Sequence, residues 1–240
     1  MVNKKFELTN ETINFFGKKL FRIKSLIDFG VVKIGELGGF VEKEENLDIY
    51  GNAWVFGDAC ISENARVSGN AKVFENACVS GDACISENAQ VCGNACISGD
   101  ARVSGDARVF GDACVYGDAC MYGDAQVYGN AWVYRNARVS GNARVSGDAQ
   151  VYGNAWVYGD ACMSGNAKVC GNGDYTTIKG FGTELRTTTF FRCKDKKIRV
   201  VCGCFYGTID QFRKQVKKTR EGKIAKEYLM IADLMEEHFK

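Results

Sequence analysis

From Gly51 to Cys170 apolar and polar positions recur with a period of six through twenty consecutive hexads, with no insertion, in the pattern Gly-(Asn/Asp)-Ala-x-Val-x. The third position is always alanine, as at Ala53, Ala59 and Ala65. The fifth is always Val, Ile or Met, as at Val55, Ile61 and Met121. A strand sends successive side chains to opposite faces, so these two positions point inward and the fourth and sixth point outward. Glycine followed by Asn or Asp tolerates the backbone angles of a sharp corner, so the chain turns once every six residues. A prism follows, and the outward residues give its number of sides. Cys60, Cys78, Cys96 and Cys114 stand 18 apart, as do Tyr116, Tyr134 and Tyr152, and Phe56 and Phe74, with Phe110 a further 36 along. The spacing predicts three-sided coils, about seven of them, stacked into a rod of roughly 32 Å at about 4.8 Å per coil.

An aliphatic residue followed four places later by a small one, as in Val55 with Ala59, Ile61 with Ala65 and Val67 with Ala71, resembles the left-handed β-helix family of hexapeptide-repeat proteins. The resemblance implies an all-β solenoid, wound as a left-handed parallel β-helix, and a trimeric, acyltransferase-like relationship. The flanking segments resemble those of phage and prophage-borne hexapeptide-repeat proteins, many of them named as transferases.

Outside the repeat the periodicity changes. Residues 1–50 carry short apolar runs around Gly17 (Ile13 to Phe16, then Leu20 to Ile23), then Gly35, Gly38 and Gly39, and an imperfect first hexad from Glu45 to Tyr50, which predicts an N-terminal cap. The solenoid occupies 51–173. Across 174–240, Thr187 to Cys193 and Ile198 to Phe205 predict a hairpin around Lys194 to Lys197. Thr208 and Gln211 have capping-box spacing ahead of Ile209, Phe212 and Val216, and a second amphipathic helix follows through Ile224, Tyr228, Ile231 and Met235. This small α+β unit closes the other end. Caps are needed because bare terminal coils would present unpaired strand edges.

Composition narrows the chemistry. No apolar run is long enough to span a membrane and the start, MVNKKFELTN, lacks the apolar core of a secretory signal, so a cytoplasmic protein is expected and the sequon at Asn10 is idle. Nine of the twelve cysteines occupy fixed places in the repeat, without zinc-type CxxC pairs, and are expected as free thiols. Net charge divides by segment. Residues 1–50 balance, eight basic and twelve acidic residues leave 51–170 at minus four, and 171–240 carries plus six.

The hexapeptide family's acyltransferases use a histidine base at a subunit boundary, and the one histidine here, His238, is the third residue from the end of the sequence, outside the coils. No phosphate-loop, dinucleotide or HExxH signature is present, so no catalytic residue, cofactor or metal is expected. A diverged acyltransferase using another base is the alternative. Two other β-helix roles fall away. The solenoid has no threonine for a flat ice-binding array, and its period of six differs from that of pentapeptide DNA mimics.

The outward aromatics carry the functional expectation. Trp54, Phe56, Phe74, Phe110 and Tyr128 project from one side and predict a seam between subunits of a homotrimer, the alternative cover being the chain's own folded-back tail. Tyr116, Trp132, Tyr134 and Tyr152, read together with Arg138, predict a surface for a protein or nucleotide-containing partner. The basic tail, with Lys194, Lys196, Lys197, Arg199, Arg213, Lys214, Lys217, Lys218 and Arg220, offers phosphate contacts to a nucleic acid. The expected role is a non-catalytic binding or scaffold protein, a phage or prophage accessory factor with a possible anti-defence use.

Overall fold

The computed structural model describes residues 4–240, so the first three residues of the N-terminal cap lie outside the described residues. The hexads form three parallel sheets. Strands pair 18 residues apart, Cys60 with Cys78 and then Cys96 and Cys114 on one face, and Val67 with Ile85, Val103 and Met121 on another. Every third-position alanine and fifth-position aliphatic residue is buried, so the interior is a dry column of small and branched side chains. Strands shorten to two or three residues because each side of the prism must leave room for its corners.

Three faces result. One carries Cys60–Ile61 through Lys168–Val169 and is called here the cysteine–tyrosine face. A second carries Trp54–Val55 through Cys162–Met163, the phenylalanine face, and the third carries Arg66–Val67 through Trp156–Val157, the arginine face.

The corners are held as the Gly-Asn pattern requires. Gly81 has φ +71° and a Cβ there would stand 2.7 Å from the backbone of Gly99, so the next coil itself enforces glycine. Where Glu63 and Glu75 take the same left-handed angle, each carboxylate accepts the amide of the next coil's corner, Gly81 and Gly93, at 2.6 Å. Asparagines at the second position stack into amide ladders, Asn52 to Asn70 to Asn88 and Asn76 to Asn94 to Asp112.

Backbone polarity decides what each cap must contain. Strand amides donate toward the C-terminal coil, as Trp54 N does to Ala71 O, so the first coil leaves carbonyls free and the last leaves N–H groups free. Donors therefore close the N-terminal end. Lys5 Nζ bonds Ala53 O at 2.8 Å and Asp48 O at 3.2 Å, Asn46 Nδ2 bonds Ala65 O at 2.8 Å, and Arg22 reaches Gly57 O at 3.2 Å. Acceptors close the other. Asn172 Oδ1 takes Trp156 N at 2.8 Å, Thr189 Oγ1 takes Cys162 N at 3.0 Å, and Asp174 Oδ2 takes Cys170 N at 2.8 Å.

The N-terminal cap is a hairpin, Phe6–Phe15 with Lys18–Ser25, whose second strand pairs with Leu37–Val41 and so extends the cysteine–tyrosine sheet to ten strands. Gly38 and Gly39 lie where any side chain would strike the carbonyls of Val55 and Ala59, at 2.6 and 2.5 Å. The first coil differs from the expected hexad. Phe40 pairs with Cys60 and Leu47 with Val67, both 20 residues on, so two extra residues move Leu47 into the core and leave Ile49 exposed.

At the C-terminal end the sequence foresees one hairpin, and the structure holds a four-stranded antiparallel sheet, Tyr175–Phe181, Arg186–Arg192, Ile198–Cys202 and Phe205–Thr208. Gly203, at φ +60°, breaks the expected run from Ile198 to Phe205 into two strands. Helices α1 (Ile209–Thr219) and α2 (Gly222–His238) pack on this sheet, and Thr208 with Gln211 forms the expected capping box.

Candidate partner-binding faces

On the cysteine–tyrosine face, sixth positions stack Tyr116 on Tyr134 and Tyr134 on Tyr152, with ring centroids 5.0 Å apart and planes within 5° at both steps. In-register strands impose this geometry, because identical residues on neighbouring coils must lie directly over one another. Trp132, 43% exposed, meets Tyr116 edge-on at 6.1 Å. Burial chiefly raises the phenol pKa of each of the three tyrosines, so their hydroxyls remain donors at neutral pH. The ladder is an offset stack with one indole beside it.

Arg138 is not part of this surface. It pairs with Cys120 and Trp156 on the arginine face, because it lies 18 residues beyond Cys120. Two cations the sequence reading missed stand there instead. Lys168 Nζ lies 5.9 Å from the Tyr152 ring centroid, and Arg135, at a left-handed corner directly after Tyr134, exerts its charge on all three phenols. Counting by 18 from Gln150 finds Lys168. On the arginine face, Trp156 donates its indole N–H to Ser140 Oγ at 3.0 Å.

The phenylalanine face keeps four of its five expected residues together. Phe56, Phe74, Phe110 and Tyr128 share one column, interrupted by Cys92, and Phe110 stacks on Tyr128 at 4.8 Å with planes 1° apart. All four are half-buried. Trp54 leaves this set. It is fully buried beneath the chain's own N-terminal segment, edge-on to Phe6 at 6.2 Å and to Phe29 at 5.3 Å, so no second subunit is needed to cover it. At the far end of this face a groove of about 550 Å³ opens under the C-terminal sheet, where Lys179 and Asp160 already pair at 2.8 Å.

The basic tail is partly spent inside its own unit. Arg213 bonds Asp210, Asp233 and Glu236, and Arg199 bonds Asp195 at 2.7 Å. Lys194, Lys196 and Lys197 sit on the turn between two strands, and Lys214, Lys217, Lys218 and Arg220 on or just after α1. His238 ends α2, against Phe239 at 4.9 Å. All twelve cysteines are free thiols, and among the described residues no three metal-ligating side chains converge on a point.

Comparison with known proteins agrees with the repeat. The model of the YdcK beta solenoid repeat matches residues 89–105, 101–117, 125–139, 137–150 and 149–165, all within the coils. The six-residue period and 18-residue coils are thus similar to the YdcK beta solenoid repeat over these matched segments. A Bacillus cereus crystal structure described as a "putative acetyltransferase" is 12% identical to this β-helix protein, over 75% of this chain and 92% of that one, with a TM-score of 0.26, a likeness too low to bear on activity. No curated protein matches in sequence. Among the described residues no helix is long and apolar enough to cross a membrane.

Proposed function

We propose that this β-helix protein is a non-catalytic binding module that takes a protein or nucleotide-containing partner on its cysteine–tyrosine face. The observation that carries the reading is the Tyr116, Tyr134, Tyr152 stack, flanked by Trp132, Arg135 and Lys168. Stacked phenols with outward hydroxyls offer a flat, rigid platform at low entropic cost, Trp132 supplies an exposed aromatic anchor, and two cations suit a carboxylate or phosphate. The column on the phenylalanine face supports assembly into a trimer in the same way. Free thiols and the flanks' likeness to phage and prophage-borne proteins suit an accessory factor in a reducing cytoplasm.

Mutation tests the reading directly. Trp132→Ala removes the exposed anchor without touching the core and is expected to weaken partner capture by about 2 kcal/mol, near 30-fold, with oligomeric mass and melting temperature unchanged. Capture at parental strength by that variant contradicts the proposed surface.

A further inference from the structure

Four thiols stand on consecutive coils of the cysteine–tyrosine face. Cys60 pairs with Cys78, Cys78 with Cys96 and Cys96 with Cys114, each step being one hydrogen-bonded strand spacing. Within the solenoid no other thiols occupy consecutive coils. Cys84 and Cys120 share a column but Arg102 stands between them, and Cys92, Cys162 and Cys170 have aromatic or arginine neighbours on theirs. We propose that the Cys60, Cys78, Cys96, Cys114 ladder binds soft d10 metal ions, such as copper(I) or silver(I), each held linearly between the thiolates of two successive coils.

Spacing selects this chemistry. A disulfide wants Cβ atoms about 3.8 Å apart, whereas in-register parallel strands hold them about 4.8 Å apart, so oxidation would strain the coil. Two metal–sulfur bonds of about 2.3 Å laid end to end span about 4.6 Å, close to one coil rise. Tetrahedral zinc is disfavoured for the same reason. It needs three or four converging ligands, and among the described residues no such group exists, while a straight column of thiols presents its sulfurs in pairs.

Each monovalent ion displaces one proton from each of two thiols and leaves a pair of net charge minus one, with no change of oxidation state. Cys96 is exposed and Cys78 and Cys114 half-exposed, so ions enter from solvent.

The test is a titration of the reduced full chain with silver(I), anaerobically and against a competing thiol ligand, followed by the sulfur-to-metal charge-transfer band. Cys78→Ser with Cys114→Ser leaves Cys60 and Cys96 two coils, roughly 9.6 Å, apart and no bridgeable pair. That double variant is expected to lose about two tight equivalents, while Cys84→Ser with Cys120→Ser keeps them, since a digonal site requires both sulfurs. Should the first variant not fold by circular dichroism, Cys96→Ser alone, which preserves only the Cys60–Cys78 pair, is expected to keep about one equivalent. Unchanged tight binding in the Cys78/Cys114 variant, or in Cys96→Ser, or an equal loss in the Cys84/Cys120 variant, overturns the proposal.

Discussion

Lys5 is a buried cation whose ammonium closes the carbonyl end of the coil, and its burial pulls the pKa down to about 8 against the pull of Asp48. Between pH 8 and the unfolded value the folded chain has lost a proton that the unfolded chain keeps, so this group alone makes stability rise with pH. The thiols act oppositely. Cys78, held protonated by the neighbouring Cys60 thiolate, and Cys193, which is buried, are each pushed up to about 11, so from the ordinary thiol range to pH 11 the folded chain keeps protons that the unfolded chain has released. Two such groups against one lysine make stability fall above about pH 9. Denaturant midpoints measured across that window are expected to drop, and to drop less steeply in Cys78→Ser; a rise, or the same slope in both, contradicts these protonation states. At this scale the inward residues were legible because alanine and aliphatic positions never vary, and Val103→Asp is expected to unfold the rod by placing an unpaired charge in it. The burial of Trp54 was not legible. The residues that cover it, Phe6 and Phe29, follow no period that would announce the contact.

Each coil is an incomplete element, satisfied only by its neighbours, and the caps differ because the backbone is polar along the rod. Asp174 carries the C-terminal cap, accepting Cys170 N, Gly171 N and the Cys170 thiol. Asp174→Ala leaves amide donors at the end of the stack unpaired and is expected to cost about 1–2 kcal/mol, appearing as lost hydrogen-exchange protection in the last coil with the middle coils unchanged. Uniform loss along the rod would mean that the cap does not act locally. The repeat predicted every solenoid strand from Gly51 onward, since period six, corner chemistry and 18-residue memory all point one way. The first coil and the Tyr175–Phe181 strand escaped. Two extra residues before Gly51 shift Leu47 rather than Ile49 inward, and the strand follows the last hexad without an apolar alternation strong enough to mark it.

Across the whole molecule the three faces differ in character although the core behind them is uniform, and that contrast is where function was partly legible. Columns emerge by counting in eighteens, which finds the tyrosine stack and the phenylalanine column; setting Arg138 beside the tyrosines broke that count and placed it one face away from its true neighbours. Phe74→Arg puts a charge into the proposed seam and is expected to convert the assembly to monomers by light scattering, while parental mass would mean that the column is not a subunit contact. At the far end, Lys168 lay within reach of the same count from Gln150, whereas Arg135 became visible only once the coils were stacked. The most direct measurement of the central claim is native mass spectrometry of the parental protein and of Trp132→Ala, each purified from the host. A partner or ligand mass retained by the parental oligomer and missing from an equally assembled variant is the predicted result; a bare parental oligomer, or the same retained mass on both, contradicts a binding role for the cysteine–tyrosine face.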